Sequence, residues 1–230
     1  MERKDLLFII FLVALFLPFF VSPGLYMTYK LFNQQHGMVM SFVKFGFLAT
    51  LGEIIGQRIR TGNYFNTGFG LLPRFIVWGL IGMTINMAFI IFSTGTPFFI
   101  EYLGLKNASE ALTGPMNFDK VLVAFSTSTA MNIIYAPVMM TFHKITNTHI
   151  IANGGTLSGF FTPIPFRKIF INLNWDVQWN FVFKKTIPFF WIPAHTITFL
   201  LPADFRVLFA ALLGMALGTI LAIANTMKNN

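Results

Sequence analysis

The sequence predicts an all-α integral membrane protein, a polytopic bundle of about six hydrophobic transmembrane helices. Three observations predict this fold class: 55% of the 230 residues are hydrophobic, the mean hydropathy is +0.68, and the apolar residues fall into long runs. Only 10% of the residues are charged, whereas a soluble domain carries roughly 25%. Because so few charges cannot cover a soluble surface, the composition argues against a soluble enzyme. Its high hydropathy argues equally against a disordered chain.

Six runs approach the length that a membrane span requires, about 20 apolar helical residues for a core of about 30 Å. The first should be an uncleaved helix continuing toward Tyr29, because the bulky residues at 19–21 do not suit a signal-peptide cleavage site. Pro137 interrupts the fourth run and predicts a kink there, since proline removes a helical hydrogen bond. The runs cover residues 6–21, 38–59, 72–99, 120–142, 186–201 and 203–224.

The segment between the fourth and fifth runs has a different composition. Residues 146–165 are rich in Asn, Gly, Thr and Pro, which predicts a loop. In residues 167–185, Trp175 and Trp179 stand among Asn, Arg and Lys, a mixture typical of a helix lying at the membrane surface. An ordinary loop with chance aromatic residues is the alternative. We therefore expect an N-terminal helix and linker at 1–37 and a bundle at 38–230, with the loop and interfacial helix at about 143–185.

The net charge of +8 predicts orientation, because basic residues flank the apolar runs and form no basic face. With six spans and the N-terminus inside, 11 basic residues fall on the inner side and 5 on the outer side, as the positive-inside rule favours. This placement argues against nucleic acid as a partner. The expected partner is the lipid bilayer. The five outer residues are Lys30, Lys44, Lys106, Lys120 and Arg206.

The second run carries a polar stripe. Gly46, Thr50, Glu53, Gln57 and Arg60 are spaced four, three, four and three residues apart, which places them on one helical face. Polar groups inside a bilayer are costly and often functional. The stripe predicts a water-filled path in which Glu53 sets the charge preference. In the alternative, Glu53 is a buried brace paired with a basic residue of another span.

Other spans carry isolated amides and small residues. Asn86 and Asn132 are expected to line the same path or to join helices by hydrogen bonds. Gly214 and Gly218 in the sixth run, with Ala210 and Ala222, repeat every four residues and allow close helix approach. Gly52 and Gly56 repeat this pattern in the second run. The partner of these faces is another span or a second copy, so a homo-oligomer is one expectation.

No motif for catalysis, metal or cofactor binding is found in the sequence. A P-loop, a dinucleotide-binding fingerprint and a nucleophile elbow are all missing, and no run pairs carboxylates for acid–base chemistry. The sequence therefore predicts a protein that is not an enzyme and uses no cofactor. The four histidines show no metal-ligand spacing and are expected to be scattered at the membrane interface: His36, His143, His149 and His195.

The C-terminal sequence resembles a known family. Residues 202–209, followed by Leu217 and Leu221, resemble the ending of the Mpv-seventeen / peroxisomal-membrane-protein-twenty-two family of integral membrane proteins. The resemblance covers about residues 43–224, as four to five family spans, so run 6–21 is an N-terminal addition. The other matching motifs are residues 51–57, Pro73-Arg74 with Gly79, Ala136-Pro137 and residues 191–195.

The resemblance implies a channel or pore for small solutes in the mitochondrial inner or peroxisomal membrane. If the chain is bacterial, we expect it in the plasma (inner) membrane. By position, Glu53 and Gln57 correspond to the family's acid and amide, and Arg206 to its C-terminal Arg. Arg206 is expected to contact headgroups or to brace Asp204 or Glu53.

The function predicted is a channel-like pathway for an unknown small solute or ion. The alternative is a non-transporting membrane scaffold or membrane-homeostasis protein. The predicted wall is Thr50, Glu53, Gln57, Asn86 and Asn132, with structural roles for Arg60, Arg206, Gly214 and Gly218.

Overall fold

The structure is a computed structural model. It describes the backbone of residues 2–228 and the side chains of those residues apart from 221 and 224–228. This part of the chain contains α-helices and one π-helix but no β-strand, which confirms the all-α prediction. The chain divides into two units, Met1–Met40 and Ser41–Asn230.

In the first unit, helix α1 (Arg3–Val21) ends where α2 (Pro23–Gln35) begins. The predicted continuous helix toward Tyr29 is therefore wrong. Ser22 has an extended backbone with φ −111° and ψ 100°, because a residue before proline is disfavoured in the α region. The Ser22 hydroxyl then caps α2 by accepting a hydrogen bond from the Leu25 N–H at 3.4 Å.

Four helices are long and apolar enough to cross a membrane, or five if the bent pair α6 (Phe118–Ile134) and α7 (Ala136–Ala152) forms one span. These findings support a membrane protein, but they do not confirm six helices. The four candidate spans are α1, α3 (Gly37–Thr61), α4 (Leu71–Tyr102) and the first part of α12 (Ala203–Lys228), which covers Ala203–Ile220. The short helix α5 (Ala108–Ala111) follows α4.

The predicted kink in the fourth run is confirmed, since α6 and α7 meet at an angle of 44° beside Pro137. The loop predicted from residue 146 is wrong over its first part, because α7 continues to Ala152. Thr146 tolerates this helix because its hydroxyl donates back to the Phe142 carbonyl at 3.0 Å, a local bond available to threonine within a helix. A loop containing the short helix α8 (Leu157–Phe160) follows.

The region expected to hold one interfacial helix and a fifth span is divided differently. Its helices are α9 (Phe166–Ile171), α10 (Trp175–Val177), a π-helix (Gln178–Trp191) and α11 (Ile192–Leu200). Pro188 lies within the π-helix and Pro193 within the first turn of α11. Because each proline removes a backbone donor, residues 186–201 do not form one regular α-helix. This stretch is not among the candidate spans.

Glycines hold the helices of the second unit close together. A Cβ atom on Gly82 of α4 would lie 2.6 Å from the Ser41 carbonyl oxygen of α3, and one on Gly52 of α3 would lie 2.7 Å from Met215 Cα of α12. Gly52 also faces Gly218, so the two predicted small-residue faces meet within the chain. The core lies where α4, α6 and α11 pack, around Phe89, Val123 and Phe199.

Candidate functional site

The second unit contains a partly open cavity of about 320 Å³. Its wall combines residues of α3, α4, α6, α7, the π-helix, α11 and α12. Most of the wall is apolar, with Phe45, Met131 and Val182 among its residues. The polar and charged groups in the wall are Glu53, Asn132, Tyr135, His143, Lys144, Gln178, Thr186 and His195.

Glu53 lies at the edge of this cavity and is held by three side chains. Arg74 Nη1 donates to Glu53 Oε2 in an ion pair. Trp78 Nε1 donates to Glu53 Oε1 at 3.0 Å, and His143 Nε2 lies 3.3 Å from the same oxygen. Arg74 and Trp78 are four residues apart on α4, so both point from one face toward α3. The three contacts supply the charge and the donors that a carboxylate needs away from water.

Arg74 is itself fixed on its other side. It is only 9% exposed, its Nε donates to the Phe69 carbonyl at 2.5 Å, and its guanidinium lies 4.6 Å from the centre of the Phe69 ring. Gly70 allows the turn before α4, because its φ of 70° is left-handed and suits glycine. The guanidinium is thus preorganised to meet Glu53.

A second polar group lies at another part of the wall. Asn132, fully buried on α6, places its Nδ2 3.0 Å from His195 Nδ1 of α11. The same amide donates to the Ser128 carbonyl at 2.8 Å, and the Ser128 hydroxyl donates to the Ile192 carbonyl at 2.7 Å. The His195 ring stacks on Trp191 with 5.0 Å between centroids. These bonds join α6 to α11 and give the cavity a second polar surface.

Of the five predicted wall residues, the structure brings Glu53 and Asn132 to the cavity. Thr50 is 3% exposed, and within residues 2–228 neither its hydroxyl nor the Gln57 Nε2 has a hydrogen-bond partner. Thr50, Gln57 and Asn86 are not among the residues of the cavity wall. The polar stripe of α3 therefore reaches the cavity only at its middle.

The residues predicted to be structural also have defined positions. Arg206 donates from Nε to the Leu201 carbonyl and from Nη2 to the Phe199 carbonyl, both at 3.1 Å. It thus satisfies carbonyls at the C-terminal end of α11, an interaction that the sequence did not predict. Arg60 is exposed, and its guanidinium lies near Gly56. Gly214 and Gly218 line the cavity.

Arg74, Trp78 and His195 are parts of the site that were not predicted from the sequence. The contacts of the histidines were not predicted: His149 and His195 are 1% and 8% exposed, and His143 Nε2 lies 3.3 Å from Glu53 Oε1. Their position at the membrane interface stays a prediction. A usable signal was the four-residue spacing that places Arg74 with Trp78 and Trp191 with His195 on common helical faces.

Within the described part of the chain, no group of three or more His, Cys, Asp or Glu residues could hold a metal ion. The site offers instead hydrogen-bond donors and acceptors around an apolar space. The Trp191 indole N–H adds a buried donor without a partner among the described residues.

No family model, no curated protein and no solved structure matches this chain. What the fold and the cavity define is a class: an α-helical protein with several helices suited to a membrane and a mainly apolar cavity between them.

Proposed function

We propose that this protein binds a small organic solute in its central cavity and provides part of a path for that solute across the membrane. The observation that carries the proposal is the cavity of about 320 Å³ between helices that are apolar enough to span a membrane. This volume is at the lower end of the roughly 300–1,000 Å³ of small-molecule sites.

The cavity wall favours a solute with an apolar body and one or two polar groups over a bare ion. Apolar and aromatic side chains form most of it, and they cannot replace the water around an ion. Two pairs of polar side chains in contact lie in the wall, Glu53 with His143 and Asn132 with His195. The unpartnered Trp191 N–H is a further donor for a solute oxygen.

Filling the cavity tests this proposal directly. A Cβ atom at Gly214 would meet nothing within 4 Å, and Gly214 lines the cavity. Gly214→Phe therefore places a ring in open space with little strain. Gly95→Phe is the matched control, because Gly95, in α4, is also a helical glycine with open space around its Cβ position but does not line the cavity.

We expect the wild type in proteoliposomes to give solute-dependent swelling with glycerol, acetamide or 1,2-propanediol. Gly214→Phe should reduce this rate roughly tenfold, while Gly95→Phe should leave it within about twofold, because only the first ring occupies the cavity. Wild-type rates equal to those of protein-free liposomes, or equal losses in both variants, would reject the proposal.

The second candidate is a non-transporting membrane scaffold, and the bracing of Glu53 by Arg74, Trp78 and His143 favours it. A braced carboxylate stabilises the bundle without contributing to transport. Under this function, Glu53→Gln lowers the melting temperature and no variant changes flux. Both candidate functions are non-catalytic.

We further propose that the chain is a divergent member of the Mpv-seventeen / peroxisomal-membrane-protein-twenty-two family. The shared motifs around Glu53, Pro137 and Arg206 support this assignment. In a bacterium the protein would lie in the plasma membrane, and in a eukaryote in the mitochondrial inner or peroxisomal membrane. Expression of a fluorescent fusion and comparison with membrane markers tests the location.

A further inference from the structure

A second concave region of the Ser41–Asn230 unit lies between α7 and α9. This groove has a volume of about 610 Å³. One side is the C-terminal half of α7, from Lys144 to Asn153, and the other is α9 with the residues that follow it, to Asn174. The loop around Thr162 and Pro165 closes one end. The groove is distinct from the central cavity, and Lys144 is the one residue common to both walls.

The groove carries uncompensated positive charge. Lys144 on α7 and Lys168 on α9 line it from opposite sides, and no Asp or Glu is part of its wall. Both lysines are exposed. Among the described residues, neither forms an ion pair. Two lysines from different helices therefore line one concave space, and its wall holds no acidic residue.

Neutral donors and a rigid floor accompany the two lysines. The Asn174 Oδ1 accepts from the Val177 N–H at 3.0 Å, which orients the side chain, and its Nδ2 has no acceptor among the described residues. His149 is 1% exposed and lies with its Nε2 3.3 Å from the Phe160 carbonyl. His149 is therefore held in place by burial and its hydrogen bond. The two exposed lysine side chains are the parts of the groove wall that can change conformation to meet a ligand.

Helix α9 has exposed apolar residues beside the residues that line the groove. Phe166, Phe170 and Ile171 are exposed, whereas Lys168 and Asn172, four residues apart, line the groove. An apolar face with basic residues beside it is typical of a segment at the membrane surface. The groove would then open at the level of lipid headgroups.

We propose that this groove binds a phosphate group, with the ammonium groups of Lys144 and Lys168 and the Asn174 amide as its donors. Charge-assisted bonds from lysine to phosphate oxygens are stronger than neutral bonds, and two lysines balance the charge of a phosphate monoester. The phosphate belongs either to an anionic lipid headgroup or to a soluble organic phosphate. This site does not depend on transport through the central cavity.

The test uses the full-length protein with two probes. Sodium glycerol 3-phosphate is titrated in neutral detergent by calorimetry. In parallel, nanodiscs containing phosphatidylcholine with either phosphatidic acid or phosphatidylglycerol are compared by native mass spectrometry for lipid retained on the protein. Binding in the first arm identifies a soluble phosphate, and retention in the second identifies a headgroup.

Two double variants are compared. One removes both positive charges from the groove, and the other removes two positive charges from residues outside it. Lys144→Gln with Lys168→Gln should weaken binding at least roughly tenfold, since each lysine supplies a charge-assisted hydrogen bond to the phosphate. The control is Lys184→Gln with Lys185→Gln, which removes the same charge from exposed π-helix residues outside the groove wall and should leave binding within about twofold. Lys168→Gln alone should also weaken binding, and it leaves the central cavity untouched.

Three results would overturn the site: no binding of either probe by the wild type, equal losses in both double variants, or full binding by the groove variant. All substituted lysines are exposed, so loss of folding is not expected. Circular dichroism and the melting temperature of each variant verify this. Restoration by Lys168→Arg, which keeps the charge, would support a direct contact with phosphate.

Discussion

Glu53 shows how the chain stabilises a charge inside an apolar helix. Its carboxylate receives an ion pair from Arg74, a hydrogen bond from Trp78 and a contact from His143. One carboxylate oxygen faces the arginine, and the other faces the tryptophan and the histidine. The position of Glu53 next to the cavity is therefore compatible with a solute-binding role and with a brace. Replacing Glu53 should change solute flux in the first case and the stability of the bundle in the second.

We expect Glu53→Leu to lower the free energy of unfolding by on the order of 3 kcal/mol, because it leaves the buried Arg74 without a counter-charge. Arg74→Leu should cost a similar amount, and the double variant should cost clearly less than the sum. Thermal unfolding of purified protein in detergent measures all three. Glu110→Leu, at an exposed acid, is the control. Additive losses at 53 and 74 would mean that the pair does not stabilise the bundle.

At the scale of helices, α3 makes close contacts through its glycines. Its glycines allow α4 on one side and α12 on another to approach closely. The α12 face that carries Gly218 thus has a partner within the same chain at Gly52. Homo-oligomerisation through the remaining small residues stays a prediction, testable by the mass of the detergent-solubilised protein.

Gly52→Ala should lower the free energy of unfolding by about 1–3 kcal/mol, as expected when a methyl group is forced into a filled contact. The added Cβ would lie 2.7 Å from the Met215 Cα, a backbone atom that cannot move away cheaply. Gly95→Ala is the matched control and should be neutral or stabilising, because its Cβ meets nothing within 4 Å and alanine is the better helix former. Equal melting temperatures for both variants would contradict a close α3–α12 contact.

For the whole molecule, the topology depends on whether residues 178–200 cross the membrane. The π-helix and α11 together are long enough, but neither is a candidate span by itself. The positive-inside count requires this crossing if both termini are to lie inside. Since the chain contains no cysteine, single cysteines can be introduced without background labelling.

We expect Lys106→Cys and Ala203→Cys to react with an impermeant maleimide added to the outer side of intact cells or oriented vesicles, and Lys184→Cys to react only after permeabilisation. The reason is that an odd number of crossings separates residue 184 from each of the other two in the six-span topology. Labelling of residues 203 and 184 from the same side would instead make 178–200 a re-entrant segment.

The features that could be predicted are those that depend on local sequence. Apolar runs identified the regions of α1, α3, α4 and α12, and Pro137 identified the bend between α6 and α7. The prediction of a continuous first helix failed at Ser22-Pro23, because the proline ends α1 although the sequence stays apolar. The prediction of a loop failed at Thr146, because its polar side chain bonds to the backbone within α7. Composition averages over such hydrogen bonds and cannot detect them.

The sequence by itself determined the class of the protein and the location of its charge. An apolar chain with few charges forms several helices that are long and apolar enough to span a membrane, and helical spacing puts Glu53 on a polar face. Only the tertiary structure decided which groups meet that charge, because Arg74 and Trp78 lie 21 and 25 residues away and His143 lies on another helix. The tertiary structure also decided that a cavity forms. The open space beside Gly214 depends on how seven helices pack together and not on any one of them.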